Sequence, residues 1–146
     1  MKTVCQSSVI AAVLFAGSAW CQDAAKETKL LEGAWLPTAA ELGGQPFDEQ
    51  TLKAMKLVLA GDAYTVTVGK SVDRGTIKLD LAKTPKAMDI IGGEGPNKGK
   101  TFLAIYELSG DTLKICYDLT GKARPTEFKT QKGALQFLVT YQRAKS

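Results

Sequence analysis

The sequence predicts an all-β fold: eight antiparallel strands closed up-and-down into a barrel, with a short N-terminal helix and one short helix after the first strand. Three observations predict it. Apolar residues after Met55 recur with a period near two. The segments that carry this period are short and mostly separated by tight glycine-containing turns, and short connections force antiparallel neighbours. Seven such segments follow a short strand at Trp35–Leu36, eight strands in a chain of 146 residues, and closing them removes the exposed edges of the sheet. An open sandwich of two sheets is the other arrangement the pattern allows.

The chain opens with a different signal. Lys2 is the only charge before Asp23, Val9–Ala16 reads VIAAVLFA, and the small residues Gly17, Ser18 and Ala19 follow. A basic start, a short apolar core and a small-residue exit make a secretory signal peptide over residues 1–21. The run falls short of the roughly 20 apolar residues that span a bilayer, so no transmembrane segment is expected. Ala19 and Cys21 fit a cut that starts the mature chain at Gln22; Gly17 and Ala19 fit a cut that starts it at Trp20. Trp20 is too bulky to precede a lipidated Cys21. The expectation is one exported domain over residues 22–146, periplasmic or extracellular and monomeric. Cys5 and Cys21 then leave with the leader, and Cys116 stays as a lone thiol, expected to be buried and unreactive. A retained Cys21 would make a bridge to Cys116 possible.

The elements follow in order. Ala24–Leu31 (AAKETKLL) forms one or two helical turns that Gly33 ends. Trp35 and Leu36 make a short strand before Pro37, and Gly43, Gly44 and Pro46 make a loop. Asp48 is an N-cap for a helix with Leu52 and Met55 on its apolar face. Strands follow at Lys56–Ala60, Tyr64–Val68, Thr76–Asp80 and Lys86–Ile91, with Gly69–Val72 read as a turn. Gly92–Gly99 (GGEGPNKG) is a hairpin loop. Thr101–Leu108 is apolar on both faces and therefore central. Thr112–Asp118 and Leu135–Arg143 complete the set, with a long loop between them.

At Gly33, Ala34 and Trp35 the chain carries a Gly-x-Trp triplet at the first strand. This resembles the opening motif of the calycins and lipocalins. The resemblance implies that the Trp35 indole plugs the closed end of the barrel under a basic residue of the last strand, for which Arg143 is the match, through a cation–π contact. Gly33, Trp35 and Arg143 are thus expected to be structural. A second likeness covers nearly the whole mature chain: LLEGAW, GPNKGKT (Gly95–Thr101), IYELSGDTLKIC (Ile105–Cys116) and RPTEF (Arg124–Phe128) are similar to a lipocalin-like domain family of unknown function expanded in planctomycetes. It implies a small secreted barrel and assigns no activity and no functional residues.

Composition excludes several chemistries. With no histidine there is no Ser-His-Asp triad, no Cys-His dyad and no His-ligated metal. No carboxylates have calcium-loop spacing, so neither metal nor cofactor is expected. The Gly92–Gly99 loop leads through Gly99, Lys100 and Thr101 into a strand, not the helix a phosphate cradle needs. Glu107, sharing a face with Leu103 and Ile105, is the one general-acid candidate if it points inward; its expected place is a solvated rim. No catalytic residue is assigned. Asp62, Asp111 and Asp118 read as turn residues.

Two surfaces remain for binding. Leu119–Lys132 holds Lys122, Arg124, Lys129 and Lys132 against Glu127 alone, a net +3 that accounts for the excess charge of the mature chain. Such a loop suits an anionic protein or cell-envelope polymer. Only Phe128 interleaves, so no nucleic acid is expected. The other surface is the interior, where alternation turns Tyr64, Met88, Tyr117, Phe137 and Tyr141 inward as ligand-pocket candidates, with Leu57, Leu59, Val66, Val68, Ile77, Leu79, Ile90, Leu113, Ile115 and Val139. Residues this large imply a mostly filled core with a shallow pocket at best. The sequence therefore reads first as a non-enzymatic module acting through surface and loops. A carrier of a small apolar ligand comes second, and a Glu107-based hydrolase or isomerase third.

Overall fold

The computed structural model describes residues 18–145, with side chains from residue 23 onward. The predicted signal peptide, residues 1–21, lies outside the described residues apart from the backbone of 18–21. In chain order the elements are α1 (Ser18–Leu31), β1 (Gly33–Leu42), β2 (Gln45–Pro46), α2 (Glu49–Lys53), β3 (Met55–Ala60), β4 (Ala63–Val68), β5 (Ser71–Asp80), β6 (Lys86–Glu94), β7 (Thr101–Ser109), β8 (Thr112–Asp118) and β9 (Gln136–Arg143).

Eight of these strands form one antiparallel circuit. From β3 to β9 each strand pairs with the next, and β1 pairs with both β3 and β9. The closing ladder runs from Trp35↔Arg143 to Leu42↔Phe137 and excludes the sandwich. β2 only adds two pairs at the far end of β1. The fold is thus an eight-stranded up-and-down barrel of calycin-like architecture, with a helix before it and a short one after its first strand.

Three strands are longer than the sequence suggests. β6 continues through Gly92–Glu94, the start of the segment read as a hairpin loop, and pairs with β5 as far as Arg74↔Glu94. β1 and β5 are extended as well. β1 runs through Pro37 to Leu42 instead of stopping at Leu36. The Ala144 N–H donates to the Ala34 carbonyl, so Ala34 and Leu36 face β9 and Pro37 faces the opposite edge. The last β1–β3 partners are Trp35↔Leu57, so no ladder there needs the N–H that Pro37 lacks. β5 begins at Ser71, within the segment read as a turn, and pairs with β4 from Val68↔Ser71 onward. In α2 the Asp48 carboxylate accepts the Thr51 N–H at 2.7 Å. Met55, expected on that helix, instead opens β3 and is buried.

α1 covers one end of the barrel and is tied down by side chains of the first and last strands. Trp35 is 0% exposed, and its indole N–H donates to the Leu31 carbonyl at 2.9 Å. Arg143 stacks over the indole at 4.3 Å from its centroid and donates to the carbonyls of Leu30 and Glu32, each at 2.7 Å. Those are carbonyls at the helix end with no partner inside the helix, and a cation there also meets the negative end of the helix dipole. Gly33 makes the bend at φ +128°, and a Cβ on it would lie 3.2 Å from the Arg143 guanidinium. Leu31 and Glu27 point into the barrel end. The Glu27 carboxylate accepts from the Tyr106 hydroxyl at 3.1 Å and from Lys86 at 2.9 Å. Val68, expected inward, is 43% exposed because β4 ends there at the rim of the opposite, loop-bearing end.

Candidate functional site

The loop-bearing end holds a cavity of about 110 Å³. Its wall is mainly the apolar inward face of the strands: Leu57 from β3, Val66 from β4, Ile77 from β5, Ile115 from β8 and Phe137 from β9. Asn97 from the β6–β7 loop and Leu119 just past β8 place its mouth among the loops. Four of the five sequence-predicted pocket residues line it: Tyr64, Met88, Tyr117 and Phe137. Phe137 stacks on Tyr117 at 5.6 Å between centroids and meets Phe47 at 5.4 Å. Tyr141 does not line it. It is buried in the core, opposite Leu113 and Pro37, nearer the helix-covered end.

One corner of the cavity is polar, and sequence reasoning missed it. Asp73, on β5, is 8% exposed and lines the cavity. Its Oδ2 accepts from the Tyr64 hydroxyl at 2.9 Å and from the Asn97 side-chain amide at 3.0 Å, and its Oδ1 accepts the Asn97 N–H at 3.0 Å. The β6–β7 loop is thereby latched across the mouth. Gly95 lets it approach: at φ +91° its Cα lies so close to β5 that a Cβ would strike the Val72 carbonyl.

All four tyrosines are held protonated above their ordinary range. Burial is the main cause in each; the Asp73 carboxylate adds to it at Tyr64, and the Glu27 carboxylate at Tyr106. Burial raises Tyr141 to about 12, against a lowering bond with Tyr117. A phenol raised in the folded state contributes stability that is fully present below pH ~10 and is lost as pH rises beyond it. Tyrosinate absorbance is therefore expected to appear together with unfolding in one cooperative alkaline transition. A separate non-cooperative titration near pH 10 in the folded protein would contradict the burial of these phenols.

The basic loop behaves differently from its charge count. Residues 119–135 fold back onto the outer face of the barrel. Arg124, expected to await an anionic partner, is committed internally: it donates to Asp89 at 2.6 Å and to the carbonyls of Ala104 at 2.8 Å and Met88 at 3.3 Å. Asp118 organises the loop's start, accepting from Ala123 N–H at 2.7 Å, Lys122 N–H at 3.0 Å and Thr120 N–H at 3.1 Å. Burial works against its ionised form, but these N–H groups and the Thr120 hydroxyl together hold its carboxyl below the ordinary value. Lys122, Lys129 and Lys132 remain exposed, with Lys129 loosely paired to Glu127 at 3.4 Å. Beneath the loop Cys116 is 0% exposed, its thiol 3.6 Å from the Lys129 carbonyl, and burial pushes its pKa up. Glu107 is exposed on the outer face opposite Lys114, away from the cavity, so it offers no general acid there.

Among the described residues no group of three or more acidic or cysteine side chains is placed to hold a metal ion. No described helix is long and apolar enough to cross a membrane. No family model, curated protein or solved structure matches the chain.

Proposed function

We propose that the chain is an exported, non-catalytic binding barrel that carries a small, largely apolar ligand in its loop-end cavity. The observation that carries this reading is the cavity itself. Its wall is apolar apart from one polar corner, and it sits at the end opposite the helical plug. A pocket with few polar groups set among apolar and aromatic side chains is the usual build of a small-molecule site. Export rests on the leader-like start of the sequence. Kinship with the planctomycete-expanded lipocalin-like family rests on the segments LLEGAW, GPNKGKT, IYELSGDTLKIC and RPTEF. The ligand reading stands ahead of the surface reading because Arg124, the one guanidinium of the basic loop, is spent on the barrel wall. A second reading, contact with an anionic envelope partner, keeps the support of the exposed Lys122, Lys129 and Lys132.

The test is mass analysis of a solvent extract of the protein purified from its source. One small molecule at near-unit stoichiometry is expected. Val66→Phe, which pushes a ring into the cavity, is expected to lose it at a cost of about 1–3 kcal/mol in stability. A clean extract from the wild type would contradict the carrier reading.

A further inference from the structure

The cavity's polar corner narrows the class of ligand, and this narrowing rests on the binding reading proposed for the cavity. Asp73 is a buried carboxylate on an apolar wall. Every hydrogen bond described for it is one it accepts, which is the pattern of the ionised form. All three come from neutral donors, and among the described residues no ion pair involves Asp73. The neighbouring Arg74 turns outward and lies 3.7 Å from Glu94. Buried charges in proteins are as a rule paired, because an unpaired one bears its full desolvation cost. A carboxylate offers about four lone-pair positions, and the bonds described use three, leaving one on Oδ1.

We infer that the cavity takes a small apolar amine, its ammonium paired with Asp73 and its carbon skeleton against Leu57, Ile77, Ile115 and Phe137. Three features of the site agree with this class. The missing counter-charge is supplied by the ligand through a charge-assisted hydrogen bond, about twice as strong as a neutral one. Tyr117 and Phe137 line the cavity, and aromatic rings attract a cation. An apolar cavity of about 150 Å³ holds benzene, so the 110 Å³ here suits a skeleton of about four or five non-hydrogen atoms. A carboxylate ligand, by contrast, would meet Asp73 as a like charge. The amine shares Asp73 with the amide of Asn97, so its arrival is felt in the β6–β7 loop.

The experiment is a titration of ¹⁵N-labelled protein at neutral pH with isobutylamine, isobutanol and isobutyrate, followed by amide NMR shifts. Isobutylamine is expected to shift Asp73, Asn97 and their neighbours and to bind at least about tenfold more tightly than isobutanol. Isobutyrate is expected to leave those residues unmoved. Asp73→Asn is expected to bring the amine down to the level of the alcohol. Tyr64→Phe, which keeps the carboxylate and removes one competing donor, is expected to bind the amine more tightly than wild type; this variant keeps the test decisive if Asp73→Asn does not fold. Equal affinity for amine and alcohol, or an amine preference that survives in Asp73→Asn, overturns the inference and leaves the binding reading standing. No cavity shift with any of the three overturns both.

Discussion

Trp35→Ala is expected to lower the unfolding free energy by about 3–5 kcal/mol, the range for truncating a buried large aromatic ring. The indole is 0% exposed, and its loss also frees the Leu31 carbonyl at the end of α1. A small domain has only about 5–15 kcal/mol in total, so this change takes much of it. Arg143 both stacks on the indole and caps the helix end. Arg143→Lys keeps the charge but loses the flat surface over the indole and the fork that reaches both Leu30 and Glu32. Its expected cost is about 1.5–2 kcal/mol, more than stacking alone would give. Arg143→Ala should fall between the lysine variant and Trp35→Ala. Denaturant unfolding at constant m-value measures all three. A Trp35→Ala stability within about 0.5 kcal/mol of wild type, the scatter of ordinary surface changes, would mean that the indole is not the plug of this end.

Arg124→Ala is the other large effect. It removes a half-buried guanidinium that ties the 119–135 loop to β6 and β7 and leaves Asp89 without its partner. Hydrogen bonds to charged groups contribute about 1.5–3 kcal/mol each, and the exposure at this site keeps the expected total near the lower half, about 2 kcal/mol. The second readout is chemical. Cys116 lies under the same loop, so its thiol should react slowly with a small disulfide reagent in the wild type and markedly faster in Arg124→Ala. Lys122→Ala, on the exposed part of the loop, should change neither stability nor labelling rate. Equal labelling in wild type and Arg124→Ala would show that the guanidinium does not hold the loop down.

Most of the barrel is legible in the sequence because its strands obey one rule. In β4, Tyr64 and Val66 alternate with Thr65 and Thr67; in β8, Leu113, Ile115 and Tyr117 alternate with Lys114 and Cys116. The rule fails where a strand breaks it for a local reason. Pro37 reads as a terminator until β9, on the side that does not need its N–H, is known to be the partner. The first residues of β5, Ser71 and Val72, read as part of the Gly69–Val72 turn because the inward positions that follow them, Asp73 and Gly75, carry no apolar side chain. The pocket is legible to the same degree. Tyr64, Met88, Tyr117 and Phe137 follow from alternation, whereas Asp73 escapes any reading that equates inward with apolar. Its signal is present all the same: Asp73 has the parity of Ile77 and Leu79, so a β5 extended backward carries it to the inner face. The latch by Asn97 comes from loop closure, which no periodicity encodes. Charge counting finds Arg124 and cannot see Asp89, which lies 35 positions away in sequence.

The functional reading depends on an open, apolar cavity at the loop end of a barrel closed at the other by α1 and Trp35. A crystal structure of the protein under xenon pressure tests that directly, since xenon enters dry apolar cavities of this scale. The expected result is a xenon atom between Leu57, Ile77, Ile115 and Phe137, beneath a β6–β7 loop latched from Asn97 to Asp73. Side chains collapsed into that space, with no xenon bound there, would contradict it.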